Sequence, residues 1–330
     1  MAKPSQSVAG QAPRPRVTAG GLARIAAGLA LLALLYSWHV IDIGALGAPL
    51  SRPGLLALAL LASLANIPLE ALRWHILLRA QGLSLRLGRT TRILTTSIFF
   101  ANFLPGAAGG DLVRGLYIYK AARGRRTPAL LSIAIDRLIG LVAFVLLGLI
   151  AVLARPNASS TVLALSIGAL SALFLAALVV LFLHGHRIAR LLQRLLSGRS
   201  ARLAQIVDDL GTALRQYGRD WRSVGLALLI SVAIVALAVG PIILIAEAMP
   251  FEGLSALDYG VAGLYALIAN SLPVTPGGLG IGETAFASAC VMLEPQAAHA
   301  AYGTIFLAFR CVFILSTLPG LVAYLIDPSR

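Results

Sequence analysis

Long runs of apolar residues constrain this chain more than any other feature of its sequence. A helix needs about 20 apolar residues to cross the roughly 30 Å hydrocarbon core of a bilayer. The chain is 58% hydrophobic and 12% charged, whereas a soluble domain has about 25% charged residues. This composition excludes a soluble enzyme and a disordered chain. We predict an all-α integral membrane protein with about six full transmembrane helices, at about 22–44, 54–78, 128–153, 161–184, 223–247 and 299–326.

The basic residues predict how these helices are oriented, because Lys and Arg concentrate in cytoplasmic loops. Of the 27 Lys and Arg residues, 21 lie in the N-terminal residues 1–24, in 79–92, in 114–126 and in 187–222. Only Arg52 and Arg155 lie between spans on the opposite side. We therefore predict a multi-pass protein of the cell inner (cytoplasmic) membrane with both termini in the cytoplasm. The same rule accounts for the net charge of +14, so no nucleic acid partner is expected.

Two polar segments are predicted to lie outside the bilayer. Residues 1–21 read as a disordered cytoplasmic tail, which leaves 22–326 as a single transmembrane domain. Residues 187–220 form an Arg-rich amphipathic linker, typical of a helix that lies along the cytoplasmic headgroups. A solvated loop helix is the alternative interpretation of this linker.

Two further apolar segments, at about 93–110 and 259–293, are interrupted by Pro and Gly. The first joins two basic segments that are both predicted to be cytoplasmic, so it must enter the membrane and return on the same side. Irregular backbone at that depth is tolerated only where it is buried in protein or lines a wet cavity. We therefore predict two Pro/Gly-broken re-entrant helical elements.

These two segments contain similar motifs. Residues 101–110 read Ala-Asn-Phe-Leu-Pro-Gly-Ala-Ala-Gly-Gly, and residues 269–278 read Ala-Asn-Ser-Leu-Pro-Val-Thr-Pro-Gly-Gly. An acid follows each motif and an arginine lies in the next span: Asp111 with Arg137, and Glu283 with Arg310.

The ordered succession of motif, acid and arginine indicates an internal duplication. Repeat one covers about 54–153 and repeat two about 223–326. Three predicted spans separate the motifs, so the repeat is expected to be inverted, as in many transporters. The alternative is that the Pro-Gly pairs only break helices for packing.

Each motif places charged groups beside a helix break. A helix that restarts near Asp111 directs free N–H groups at the break, where a phosphate or carboxylate can bind, and Arg114 adds a positive charge one turn on. Alternatively, Asp111 caps the helix and pairs with Arg114 at i,i+3. Glu283 lies at membrane depth, where an acid costs about 2.5–3.5 kcal/mol, and Arg310 is its expected partner.

Other intramembrane charges lie in the spans of repeat one. Asp136 and Arg137 are adjacent on a helix and are expected to contact different partners; an ion pair between helices that only fixes packing is the alternative. Asn66, Glu70 and Arg73 form a second polar stripe, in which Glu70 and Arg73 can neutralise each other. Trp74 is expected at the membrane interface.

The sequence suggests neither a metal site nor a cofactor. Cys290 and Cys311 lie in apolar segments without a CxxC motif. His184 and His186 lack a further ligand at suitable spacing. The phosphate-binding and hydrolase motifs of nucleotide-dependent and serine enzymes are also absent from the sequence.

Taken together, the motifs resemble the flippase-like transmembrane family named after the lysylphosphatidylglycerol synthase membrane region. The resemblance covers about residues 20 to 326 and rests on Arg73-Trp74, Leu104-Pro105-Gly106, Gly109-Gly110-Asp111, Arg114, Asp136-Arg137, Gly140-Leu141, Pro276-Gly277-Gly278, Gly280, Glu283 and Arg310. It implies a prokaryotic inner-membrane protein that moves lipids, such as aminoacylated phospholipids or lipid-linked sugars, between leaflets. We expect a single-domain member of this family, without the aminoacyl-transferring domain of the two-domain synthases.

The resulting hypothesis is a lipid translocase with a midplane cavity between the two re-entrant elements. The substrate-binding residues are predicted to be Asn102, Pro105, Gly109, Gly110, Asp111, Arg114, Asp136, Arg137, Asn270, Pro276, Gly277, Gly278, Glu283 and Arg310, with Asn66, Glu70 and Arg73 as a secondary polar stripe. The expected partner is a phospholipid or polyprenyl-linked lipid, together with a separate lipid-modifying enzyme. A membrane-embedded lipid-modifying enzyme and a non-transporting partner of one are the alternatives.

Overall fold

The computed structural model describes residues 29–30, 32–104, 109–122, 124–154, 201–251, 253–271, 275–295 and 301–326, with isolated residues between 169 and 187. The predicted tail 1–21, residues 22–28 and 31 of the predicted span 22–44, the motif residue Pro105 and most of the predicted span 161–184 lie outside the described residues. The described part of the span 22–44 is helical only as far as Ser37. Within the described ranges the regular elements are all helices, which confirms the predicted all-α class.

Ten α-helices are defined along the described ranges. They are α1 (Pro53–Ala80), α2 (Leu87–Ala101), α3 (Gly109–Ala121), α4 (Arg126–Leu153), α5 (Ala201–Arg219), α6 (Trp221–Ala248), α7 (Ala256–Asn270), α8 (Ile281–Leu293), α9 (Gly303–Ser316) and α10 (Leu318–Leu325). A 3₁₀ helix at Gly44–Ser51 precedes α1, and a second one at Pro276–Gly278 separates α7 from α8.

Four helical stretches of the described chain are long and apolar enough to cross a membrane. They are Pro53–Ala80, Arg126–Ala151, Trp221–Ala248 and Gly303–Leu325, of 28, 26, 28 and 23 residues. They coincide with the predicted spans 54–78, 128–153, 223–247 and 299–326, which are therefore confirmed. The last of them consists of α9 and α10, which meet at Thr317 just before Pro319.

Each of the two motifs joins a pair of short helices. The pair α2 and α3 has 15 and 13 residues, and the pair α7 and α8 also has 15 and 13 residues. The first pair extends beyond the predicted bounds of 93–110, since α2 begins at Leu87 and α3 ends at Ala121. The second pair begins three residues before the predicted bounds of 259–293, at Ala256, and ends with them at Leu293. Their re-entrant course through a membrane stays a prediction.

The helix lengths repeat along the chain. Helices α1, α2, α3 and α4 have 28, 15, 13 and 28 residues, and α6, α7 and α8 have 28, 15 and 13 residues before the span of α9 and α10. This agreement in order and length supports the predicted duplication. The inverted orientation of the two copies stays a prediction.

The two halves pack closely against each other. Helices α1 and α6, the first of each half, lie side by side, and α10 of the second half packs on α2 of the first. Gly320 makes the second contact possible, because a Cβ built there would overlap the carbonyl oxygen of Thr95. A buried aromatic cluster around Phe286, Phe306 and Phe309 holds α8 against α9.

The amphipathic linker is a helix over its described part, α5. Its apolar face packs on the protein: Leu214 and Tyr217 are buried against Leu77 of α1 and Ile139 of α4. The hydroxyl of Tyr217 donates to the carbonyl of Leu77 at 3.1 Å, and burial raises the pKa of that hydroxyl. The expectation that this face lies on lipid headgroups is therefore wrong for the Tyr217 end of α5, because the ends of α1 and α4 cover it.

Candidate functional site

The helix breaks bring each motif's acid to an equivalent position. Helix α3 begins at Gly109, so Asp111 is its third residue, and α8 begins at Ile281, so Glu283 is its third residue. Gly110 packs against α2, where a Cβ would lie 2.8 Å from the carbonyl oxygen of Ser97. Asp111 therefore lies inside the first turn of α3, and the alternative that it caps the helix is wrong.

Both acids form ion pairs with an arginine of the following span. Nε and Nη2 of Arg137 donate to Asp111 at 2.8 and 3.0 Å, and Nε and Nη2 of Arg310 donate to Glu283 at 2.7 and 3.2 Å. The pairing of Glu283 with Arg310 predicted from the sequence is confirmed. We call these two-bond arrangements the first clamp (Asp111 and Arg137) and the second clamp (Glu283 and Arg310).

The second clamp is closed by further hydrogen bonds. Arg310 also donates from Nη1 to the carbonyl of Gly277 and from Nη2 to Asn270 Oδ1 at 3.0 Å. The carbonyl of Gly278 accepts a third bond at 3.1 Å, and Glu283 accepts from the amide of Gly280 at 2.8 Å. The side chain of Glu283 is 0% exposed and that of Arg310 is 10% exposed. This clamp therefore holds the turn between α7 and α8 in place.

That turn depends on glycine. Gly277 and Gly278 have φ angles of 56° and 74°, in the left-handed region that favours glycine. At Gly278 a Cβ would also overlap the side-chain amide of Asn270. The side chain of Pro276 is not among the described ones, although its backbone begins the 3₁₀ turn.

The first clamp is open by comparison. The side chain of Arg137 is 56% exposed and that of Asp111 is 24% exposed. Its hydrogen bonds among the described residues are the two to Asp111. A ligand can therefore reach Arg137, whereas Arg310 is enclosed by protein.

A third charged cluster lies beside the first clamp. Asp136 accepts from Nε of Arg73 at 2.8 Å and from Nη1 of Arg114 at 2.9 Å, and all three side chains are buried. Arg73 also donates to the hydroxyl of Ser231 at 3.0 Å. Asp136 and Arg137 thus contact different partners, as predicted, and the predicted pairing of Asp111 with Arg114 is wrong because each pairs with a residue of α4 instead.

Arg114 is the unusual member of this cluster. Its guanidinium carbon lies 3.7 Å from the ring centroid of Trp74, whose Nε1 donates to Ser132 at 3.0 Å. Among the described residues, Nε and Nη2 of Arg114 have no hydrogen-bond partner, although both atoms are buried. Buried donors are nearly always hydrogen-bonded, and one left unbonded costs about 1–3 kcal/mol.

The secondary stripe differs from its prediction. Arg73 pairs with Asp136, so its predicted pairing with Glu70 is wrong. Glu70 is half-buried and forms no ion pair within the described ranges. Asn66, one turn away, is buried and its Oδ1 has no partner there either. Among the described residues, one face of α1 thus carries a carboxylate without an ion pair and, one turn away, a buried amide oxygen without a hydrogen bond.

The two motifs meet in space. A Cβ built at Gly277 would lie 3.4 Å from the carbonyl oxygen of Asn102. Nδ2 of Asn102 also donates to the hydroxyl of Thr317, between α9 and α10, at 3.2 Å. The breaks of the two repeats are thus in contact, with Arg310 beside them. We call this the junction (Asn102, Gly277 and Thr317).

The structure divides the described predicted residues into two groups that the junction connects. One group surrounds the second clamp: Asn270, Gly277, Gly278, Glu283 and Arg310. The other surrounds Asp136 and the first clamp: Arg73, Gly109, Gly110, Asp111, Arg114, Asp136 and Arg137.

Sequence reasoning missed four residues of the site. Trp74 is completely buried under Arg114, so it contacts protein rather than lipid headgroups, and its depth at the membrane interface stays a prediction. Ser132, Ser231 and Thr317 were also missed. These three residues could have been found because each places a hydroxyl in an apolar span, where a buried polar group needs a hydrogen-bond partner. In the part of the chain that the structure describes, no group of three or more His, Cys, Asp or Glu side chains could hold a metal ion.

The helices and buried ion pairs define a multi-pass membrane protein with charged side chains inside its spans. The family model described as the lysylphosphatidylglycerol synthase TM region matches residues 22–320. The chain belongs to this family, which links it to lipid metabolism. No curated protein and no solved structure matches the chain.

Proposed function

We propose that this protein is a lipid translocase that moves a phospholipid or lipid-linked intermediate between the leaflets of the inner membrane. Membership of a family linked to lipid metabolism supports a lipid substrate. The distribution of basic residues supports cytoplasmic termini. The proposed path is a midplane cavity beside the two helix breaks, and a separate lipid-modifying enzyme is the expected partner.

The unbonded donors of Arg114 carry this proposal. Two arginines share the single carboxylate of Asp136, so this cluster of three side chains has an excess positive charge, and two nitrogens of Arg114 have no acceptor among the described residues. A lipid phosphate supplies both the missing charge and the missing acceptors, and hydrogen bonds between Arg and phosphate are among the strongest in proteins. Trp74 stacks on the guanidinium and fixes its plane.

The open first clamp provides the next contact along the path. A phosphate that reaches Arg137 competes with Asp111 for the guanidinium. The released Asp111 carboxylate and Glu70, which forms no ion pair within the described ranges, then attract any cationic part of the headgroup. Small rotations of one repeat against the other around the junction would alternate access to the two leaflets.

A translocation assay tests this proposal. Proteoliposomes containing a fluorescent phospholipid report the fraction of label that a membrane-impermeant quencher can reach. Removing a charge-assisted hydrogen bond costs about 1.5–3 kcal/mol, so we expect Arg114→Gln and Arg137→Gln to slow translocation about tenfold to a hundredfold. The exposed Arg222, outside the site, provides the matched control Arg222→Gln, which is expected to keep the native rate.

Two further measurements distinguish the proposed function from its alternatives. Native rates in both Arg137→Gln and Arg114→Gln, with both proteins folded by circular dichroism, would contradict the site assignment. Mass spectrometry of the same vesicles detects any chemical change in the lipid, which would favour the membrane-embedded enzyme. Unchanged lipid that also fails to move would favour a non-transporting partner.

A further inference from the structure

A cationic cavity lies where the first long span ends, away from both clamps. Its volume is about 510 Å³, and its walls come from the connection after α1, the first turn of α2 and the end of α3. Helix α1 ends at Ala80 and the cavity begins at Gly82. The cavity therefore lies at the level of the lipid headgroups, whichever side of the membrane this end faces.

Three cations surround the cavity without an acid among its lining residues. They are Arg89, Lys120 and Arg125. The chain from Arg79 to Arg126 contains a single acid, Asp111, which pairs with Arg137. Arg89 and Lys120 form no ion pair within the described ranges. The positive charge of this cavity is thus not neutralised by those parts of the protein.

The cavity is a built feature rather than a loose surface. Its floor includes Leu83 and Ala122, which are buried in the apolar cluster around Trp74 and Ile118. Nη1 of Arg125 donates to the carbonyl of Gly82 at 3.2 Å, which fixes one cation at the rim. Gly82 has a φ of 66°, and a Cβ there would lie 2.6 Å from Nη1 of Arg125. Glycine at position 82 therefore allows the Arg125 guanidinium to approach the backbone at the rim of the cavity.

We infer that this cavity binds a phosphate group, carried either by an anionic lipid headgroup or by a soluble phosphate. Three cations around one cavity match the negative charge of a phosphate, and basic pockets at this depth bind anionic headgroups. The site is separate from the clamps. The inference does not rest on translocation and holds if the protein moves no lipid.

The test compares two probes on the purified full-length protein. Native mass spectrometry measures the binding of added phosphatidylglycerol against phosphatidylcholine, and calorimetry measures the binding of inorganic phosphate. Each Lys or Arg near a membrane surface contributes about fivefold in affinity. We therefore expect Arg89→Gln, Lys120→Gln and Arg125→Gln to weaken binding about fivefold each, and about a hundredfold together.

The matched control is the triple variant Arg215→Gln, Arg219→Gln and Arg222→Gln, which removes the same charge from exposed positions outside the cavity. Loss of phosphatidylglycerol binding in the cavity triple alone supports a lipid ligand. Loss of inorganic phosphate binding alone supports a soluble one. If the native protein and the cavity triple bind one probe equally well, that probe is not the ligand of the cavity. If they bind phosphatidylglycerol equally well and also bind inorganic phosphate equally well, the inference is overturned. An equal loss in the control triple also overturns it, since overall charge would then explain the binding.

Discussion

At the residue scale, burial decides what each ion pair does. The second clamp is enclosed and its arginine is satisfied by protein acceptors, whereas the first clamp is open to a ligand. Breaking a buried pair by removing one partner leaves a charge in a medium that cannot solvate it, which costs about 3–5 kcal/mol. An exposed pair contributes about 0–1 kcal/mol. The clamps have equivalent positions but are expected to differ in their effect on stability.

This difference predicts unequal effects for two matched substitutions. Glu283→Gln leaves Arg310 buried without its counter-charge and is expected to lower the free energy of unfolding by about 3–5 kcal/mol. Asp111→Asn, at the equivalent position, is expected to lower it by about 1 kcal/mol or less. Denaturation in mixed micelles, followed by circular dichroism, measures both. Equal losses for the two variants would show that the clamps do not differ as described.

The pairing of these charges was only partly predictable from the sequence. Glu283 and Arg310 could be matched because each follows the second motif in order and neither has another partner nearby in the chain. Arg73 could not be assigned, since Glu70 lies one turn away while its real partner, Asp136, is on another helix. The partner of Arg73 depends on which helices pack against α1, and the sequence around Arg73 does not contain that information.

At the element scale, small residues set how closely the helices approach. The contact between α10 and α2 requires Gly320, and the guanidinium of Arg73 lies beside Gly140, where a Cβ would be 3.2 Å from Nη1. Helix packing in membranes commonly relies on such residues, because the lipid gives apolar side chains little reason to associate. The apolar runs predicted the four described spans, but not which glycine faces which helix.

Gly320→Ala is expected to separate α10 from α2. The added methyl group overlaps the backbone of Thr95, which cannot rotate away, so overpacking should lower the free energy of unfolding by about 1–3 kcal/mol. Gly240→Ala in α6 is the matched control, because a Cβ there meets no atom within 4 Å. It should leave stability unchanged or raise it by about 0.5–1 kcal/mol. Thermal unfolding measures both, and a neutral Gly320→Ala would mean that the two helices are not in close contact.

At the scale of the whole molecule, two sets of described helices, α1 to α4 and α6 to α10, follow a similar order of lengths and meet at their helix breaks. The repeated helix lengths and the equivalent clamps support a duplication. Among the described residues, however, the third cluster has no counterpart on the second clamp's side, where Phe286, Phe306 and Phe309 pack together. The sequence predicted the repeat because motif, acid and arginine follow in the same order. The sequence could not predict that Arg137 is exposed while Arg310 is enclosed, because this difference depends on the packing around each clamp.

If translocation requires movement between the halves, fixing the junction should stop it. The side chains of Asn102 and Thr317 are in hydrogen-bond contact at 3.2 Å, so Asn102→Cys with Thr317→Cys places two thiols close together across the halves. Cys311 is exposed and is first replaced by Ser, while Cys290 is buried and can remain. Oxidation is expected to reduce the rate of lipid movement at least tenfold, and reduction to restore it. Each single-cysteine variant should be insensitive to oxidant. A fully cross-linked protein that still moves lipid at the native rate would mean that the halves do not move at this contact, and the path would then have to open within one half.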